Sequence, residues 1–147
     1  MGVGGRVALG VIVALALVFG GAWAVGMAQA SALRVTVRVS PRVVPADGQT
    51  PATVTIRIQN PDGTPRVGDI VDALDLSPNP GSLLIYRAAT DRRGQVSFTY
   101  TPALANQFVP TLPAKLQITD SSLGNLVEID RMMTVMIDVV DPSKVKK

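Results

Sequence analysis

Three aspartates, Asp69, Asp72 and Asp75, form the densest carboxylate cluster in the sequence. On a helix, a spacing of three would place them on one face and offer oxygen ligands to a hard cation such as calcium. On a strand, where side chains alternate, Asp72 faces away from the other two. The calcium-loop pattern, with its glycine and closing glutamate, is absent, so these read as edge and loop carboxylates rather than metal ligands. Met132, Met133 and Met136 offer soft thioethers to a metal or an adaptable interface. In a strand, Met132 and Met136 share a face with Thr134, and core packing is their expected role. Arg92 and Arg93 sit at a hairpin tip, where they read as solvated turn residues that could also dock an acidic partner. Lys115 could serve a Ser/Lys pair, but no motif surrounds it.

The chain of 147 residues holds no Cys and no His. That removes disulfides, thiolate zinc sites and a cysteine nucleophile, together with the commonest general base. No nucleophile–base pair, metal cluster or phosphate loop can be assembled. The expectation is a chain that is not an enzyme, with no cofactor and no small-molecule substrate.

The formal charge of +3 is a property of the two ends. Residues 34–141 carry nine Arg and one Lys against eleven acidic residues, a net −1, while Arg6, Lys144, Lys146 and Lys147 supply the excess. No basic face interleaved with aromatics is visible, which argues against a nucleic-acid partner.

What must position any surface is an N-terminal anchor and a β-domain. No charged residue occurs between Val7 and Leu33, and Val7–Val25 is the densest apolar stretch. Its nineteen residues make a helix of about 28 Å, close to the hydrocarbon thickness of a bilayer. Trp23 falls near the distal end, at headgroup level. Ala28-Gln29-Ala30 has the small-x-small form of a signal-peptidase site, but the run exceeds the usual signal-peptide core. Retention as a signal anchor is therefore expected. Ala16, Gly20, Ala24 and Ala28 recur at four-residue spacing. This ridge either lets a second transmembrane helix approach or merely reflects an Ala/Gly-rich composition.

Arg34, Arg38 and Arg42 follow the span and, counted alone, would hold the β-domain in the cytoplasm. They belong to a folded domain, however, and domains translocate largely regardless of charge. The expected placement is a single-pass protein of the bacterial cytoplasmic membrane with its β-domain on the extracytoplasmic side. A pilin-type filament subunit is an alternative, although the glutamate that opens the mature helix of type IV pilins is missing.

After Leu33 the hydrophobic period becomes two. Leu33, Val35, Val37 and Val39 alternate with Arg34, Thr36, Arg38 and Ser40, and Val54, Ile56 and Ile58 alternate with Thr53, Thr55 and Arg57. Further strand-like runs are 69–76, 83–88, 95–101, 115–119 and 126–140, the last long enough to bend near Asp130-Arg131. Pro/Asp/Asn/Gly clusters at 45–48, 60–63, 78–81 and 91–94 punctuate them as turns. About seven short strands at this spacing predict an all-β, immunoglobulin-like antiparallel β-sandwich preceded by one transmembrane α-helix. The divisions are 1–6 as a flank, 7–32 as the helix, 33–141 as the sandwich and 142–147 as a frayed basic tail.

Val44-Pro45-Ala46-Asp47-Gly48-Gln49-Thr50 followed by Ala52-Thr53-Val54-Thr55-Ile56 resembles the opening of bacterial Ig-like domains of the invasin/intimin group. The resemblance continues through Asn60-Pro61-Asp62-Gly63-Thr64-Pro65 and Val67-Gly68-Asp69-Ile70-Val71, and closes with Ala89-Thr90-Asp91-Arg92-Arg93-Gly94-Gln95-Val96-Ser97-Phe98. It covers residues 35–101 and implies a rigid spacer or adhesive module without catalytic residues. From Pro102 onward the match is poor. Loop 102–113 is long, apolar and bounded by prolines. Leu104, Phe108, Val109 and Leu112 either bind a partner or fold over one end of the sandwich. The functional expectation is an accessory or structural subunit of a larger membrane complex, in contact with lipid and other membrane proteins. A free-standing surface adhesion or envelope-binding protein is the rival.

Overall fold

The uncharged N-terminal run forms one uninterrupted helix, α1, over Val3–Ala32, which starts before the expected residue 7. The computed structural model describes residues 3–106, 110–123 and 129–144. Leu33 alone separates α1 from the first strand, so no linker joins helix and sandwich.

Nine strands follow among the described residues: β1 (Arg34–Ser40), β2 (Val43–Pro45), β3 (Ala52–Gln59), β4 (Ile70–Asp75), β5 (Ser82–Leu83), β6 (Arg87–Ala89), β7 (Gln95–Thr101), β8 (Ala114–Leu123) and β9 (Ile129–Val140). They build a four-stranded sheet in the order β1-β3-β7-β5 and a five-stranded sheet in the order β2-β9-β8-β4-β6. Every pairing is antiparallel except β2 with β9. The two central orders, β1-β3-β7-β5 against β9-β8-β4, follow the ABED and GFC sheets of an immunoglobulin sandwich.

The alternation read in the sequence is strongest in β3, where Val54, Ile56 and Ile58 are fully buried and Thr53 and Arg57 are exposed. Phe98 and Tyr100 of β7 meet Leu116 and Ile118 of β8 and Ile137 of β9 in one core cluster. Burying side chains of this size contributes roughly 1.5–3 kcal/mol each. β1 is less covered: Val35 and Val39 are half-buried and Val37 is 37% exposed.

Several elements differ from the expectation. The run 83–88 is not one strand; β5 joins β7 in one sheet and β6 joins β4 in the other, with Leu84–Tyr86 crossing between them. β2 lies partly in a segment read as a turn, because Val44 is needed in the core and its backbone extends the sheet at β9. β8 runs to Leu123, beyond the expected Thr119. The irregularity is a register shift between the pairs Asp120–Arg131 and Leu123–Ile129, so it lies opposite the expected Asp130-Arg131 with the extra residue on β8. Of the expected basic tail, the described residues Pro142–Lys144 form a 3-10 turn, with Asp141 accepting hydrogen bonds from the Ser143 N–H and hydroxyl, and residues 145–147 lie outside the described ones.

Candidate functional site

The turns explain why the sequence motifs carry so much order. Asp47 accepts hydrogen bonds from the backbone N–H of Gln49 and of Thr50, Asp62 from that of Thr64, and Asp91 from those of Arg93 and Gln95. Gly48, Gly63 and Gly94 take the positive φ that such turns require. The Thr50 hydroxyl, which donates to Asp47, and these backbone donors hold the carboxyls of Asp47, Asp62 and Asp91 below the ordinary carboxylate range.

At the end of the sandwich where α1 arrives, β9 turns Arg131 inward. Its guanidinium Nη1 donates to the carbonyls of Ala30 and Leu33, the latter at 2.9 Å. A helix C-terminus leaves its last carbonyls unpaired and carries partial negative charge, so a guanidinium there is both a hydrogen-bond cap and a charge match. Ala30 and Leu33 are themselves part of the core cluster, and the end of α1 touches β8 and β9. The helix is thus docked onto the sandwich by its final turn.

A polar layer lies beside this junction. Arg66 pairs with Asp69 through Nε and Nη2. Thr90 donates to the Arg66 carbonyl and accepts from the Asp69 N–H. Asp120 is fully buried; its Oδ1 accepts from the Ser122 N–H at 3.0 Å, while Oδ2 has no hydrogen-bond partner among the described residues. Burial pushes the Asp120 carboxyl up, the neighbouring Asp69 adds to this, and the Ser122 N–H and Arg66 oppose it.

The three sequence aspartates are dispersed by this arrangement. Asp69 belongs to the buried pair with Arg66. Asp72 points outward beside Arg87 at 3.7 Å. Asp75 closes the turn after β4 by accepting from the N–H groups of Ser77 and Gly81. Among the described residues no three His, Cys, Asp or Glu side chains come together. Arg92 and Arg93 are exposed in their turn.

The two outer faces differ. On the four-stranded sheet the outward positions of β1 and β3 are Arg34, Thr36, Arg38, Ser40 and Thr53, Thr55, Arg57, Gln59, with neither an acidic nor an apolar side chain. On the five-stranded sheet Met132 and Met136 are exposed, as is Leu74 two strands away, with Gln117 of β8 between. This corrects the core role expected for those two methionines. Two interleaved sets on β9 are apolar, and the β-branched Val135 and Ile137, with Met133, take the inside; one residue of parity then sends Met132 and Met136 out. A third exposed apolar group is Leu84, Ile85 and Tyr86, at the crossing between sheets.

Along α1, Ala16, Gly20, Ala24 and Ala28 are exposed, as is Trp23. A different row of small residues, Ala22, Gly26 and Ala30, is the covered one, increasingly so toward the sandwich. In loop 102–113, Pro102 is buried and the Ala105 N–H donates to the carbonyl of buried Ala46, so the described part folds over the sandwich end farthest from α1. Leu104 and Leu112 remain exposed there. Phe108 and Val109 lie outside the described residues.

Sequence reasoning missed Arg131 and Asp120. Asp120 was detectable as the one charge on the inward parity of an otherwise apolar alternation, Ala114-Leu116-Ile118-Asp120, whereas Arg131 was not, because both alternating sets of β9 are apolar.

No protein-family model matches the chain, and no curated protein matches it. Among solved structures it is similar to the D00-D0 domain of intimin, at 14% identity over 71% of this chain and 45% of that one, with a TM-score of 0.49. The D0-D1 domain of intimin is similar at 17% identity over 71% and 49%, with a TM-score of 0.43. Domains 4 and 5 of the S-layer protein SbsC are similar at 14% identity over 74% and 52%, with a TM-score of 0.43. The chain spans about half the length of each of these.

Proposed function

We propose that this chain is a non-catalytic membrane-anchored module, with residues 7–32 as an uncleaved anchor and 33–141 as an extracytoplasmic sandwich that serves as an accessory subunit of a membrane complex. One observation carries the reading: Gly10–Ala32 is long and apolar enough to cross a membrane, and its side chains from Val11 to Val25 are largely uncovered by the sandwich. Apolar surface of that extent is stable only against lipid or another protein. Because the last turn of α1 is docked on the sandwich, the bilayer would begin near Trp23, whose indole suits the headgroup region. The short, capped junction would hold the sandwich against the membrane surface, where a brace for neighbouring subunits is more useful than a long-reaching adhesin.

The test is purification of the tagged full chain in mild detergent with native mass spectrometry, combined with protease accessibility in intact cells. The reading expects stoichiometric membrane-protein partners and a sandwich cleaved only from the outside. Release by alkaline carbonate, or protection of the sandwich in intact cells, would overturn it. The exposed Leu104 and Leu112 at the far end favour a second reading, a surface module that binds its target through that loop. It expects recovery without partners and a loss of cell or wall binding in Leu104→Ser.

A further inference from the structure

Among the described residues, one edge of the sandwich is left open. There β1 pairs only with β3. β9 pairs with β8 along one side, but on its other side β2 covers only Asp138–Val140. The uncovered stretch includes Met132–Ile137, six residues without a charge, proline or glycine. Folded proteins protect bare edges with such residues, with bulges or with a cover, because an unprotected apolar edge templates further strand pairing. Between the two edges lies an open groove of about 710 Å³, lined by Val37–Arg42 and by Thr134, Val135, Met136 and Asp138. Val37 points toward the interior yet is 37% exposed, whereas its β3 partner Ile56 is fully buried.

We propose that a second copy of this chain closes this edge, with β1 of each copy pairing in parallel with β9 of the other. Three observations select that occupant. First, direction: β2 follows β1 after two residues and runs parallel to β9, so β1 and β9 run the same way. A two-fold axis along the strands therefore sets each β1 beside the other copy's β9 and joins the sheets into two continuous layers. A single strand from another protein would satisfy only one of the two edges, whereas an isologous contact satisfies both.

Second, charge: the outward residues of β1 include Arg34 and Arg38, and those of β9 include Asp130 and Asp138. Keeping outward residues beside outward residues, the register that pairs Arg34 with Asp130 also pairs Thr36 with Met132 and Arg38 with Thr134. It differs by one residue from the chain's own parallel offset, Val43 with Asp138. Third, the axis keeps both helix-bearing ends together, so both copies of α1 emerge on the same side. The proposal uses only the sandwich edges and stands apart from the accessory-subunit reading.

The chain has no cysteine, which makes crosslinking specific. Thr36→Cys combined with Met132→Cys, in the full chain in detergent micelles, is oxidised and resolved without reductant. Across a parallel pair the two Cα atoms would fall within the ~4.4–6.8 Å that a disulfide spans. Within one chain they lie on outward faces of opposite sheets, roughly 10 Å or more apart. A band of twice the chain mass is expected from the double variant and not from either single one. Native mass spectrometry should show Arg34→Asp lowering the dimer fraction at least several-fold, with Asp130→Arg restoring it in the combined variant. A monomeric wild-type chain at micromolar concentration overturns the proposal. So does a dimer that neither crosslinks at 36/132 nor responds to the charge exchange, because that dimer would be held by its helices.

Discussion

The two ends of the sandwich are closed by different physics. At the end that receives α1, the closing groups are charged or hydrogen-bonding: Arg131 on the helix carbonyls, Arg66 with Asp69, Thr90 and the buried Asp120. At the opposite end, Pro102 and Ala46 are buried, the Ala105 N–H donates to the Ala46 carbonyl, Tyr100 fills the core, and Gly81 lies against Tyr100, with the Asp75 carboxylate holding its own turn. The first kind of closure depends on direction and on protonation, because an unpaired buried charge is costly. The second depends on volume, because close-packed groups cannot admit an added atom. One fold therefore has an end where a charged cluster is added to the packing, beside the docked last turn of α1, and an end closed mainly by shape.

Added volume should break the distal end at Gly81, although space is tight at the helix-bearing end too, where a Cβ at Gly94 would lie 2.4 Å from the Ile58 carbonyl oxygen. A Cβ at Gly81 would lie 2.3 Å from the Thr101 carbonyl oxygen and 2.8 Å from two ring carbons of Tyr100. Backbone cannot yield by that much, and the ring is held in the core. Gly81→Ala should cost about 3 kcal/mol, at the upper end of overpacking effects. In a domain of this size that lowers the melting temperature by roughly 10 °C or more. Thermal denaturation of the full chain in detergent, followed by far-ultraviolet circular dichroism, measures it. A loss below a few degrees would mean that this end is plastic and that the contrast is misplaced.

The same contrast governs what could be read from the sequence. Turns and strands were legible because their signals are local: Asp47-Gly48, Asp62-Gly63 and Asp91 with Gly94 state their backbone geometry within four residues. The helix was legible from its composition. The polar end was legible only in part: Arg66 and Asp69 are three residues apart and Asp120 closes an apolar alternation, but Thr90 and Arg131 join them through pairings far apart in sequence. The parity of β9 was also hidden, because both of its alternating sets are apolar and only the partner strand β8 decides between them. The crossing at Leu84–Tyr86 was hidden because a short apolar run fits one strand as well as two half-strands in different sheets.

Removing the cap should produce the next largest effect, confined to the other end. Arg131→Leu keeps bulk at the inward position but deletes both hydrogen bonds to the Ala30 and Leu33 carbonyls. Charge-assisted bonds of this kind contribute ~1.5–3 kcal/mol, so a loss of about 2 kcal/mol is expected. Hydrogen exchange locates it: amides around residues 30–35 should exchange faster, while those around Tyr100 keep their protection. Arg131→Lys should recover part of the effect, because one ammonium can reach a single carbonyl. If protection falls equally at both ends, the ends are one cooperative unit and the comparison fails.

The smallest effect is also the one that separates charge from shape most cleanly. The Asp120 carboxyl is raised above its ordinary value of 3.8 by burial, so the folded state holds this proton more tightly than the unfolded chain does. Its contribution is fully present below the ordinary value and is lost as pH rises through the raised one. The turn aspartates Asp47, Asp62, Asp91 and Asp141 are lowered by their hydrogen bonds and act in the opposite sense. Their contribution is present above 3.8 and disappears as pH falls through their depressed values. Stability should therefore rise as pH drops from neutrality toward the carboxylate range, then fall once the turns are protonated. Asp120→Asn should flatten the first limb, leave the acid limb intact and change stability at neutral pH by on the order of 1 kcal/mol. Denaturation midpoints measured from pH 8 to pH 3 test this. An unchanged first limb in the variant would place the titrating group elsewhere and leave the helix-bearing end without its pH dependence.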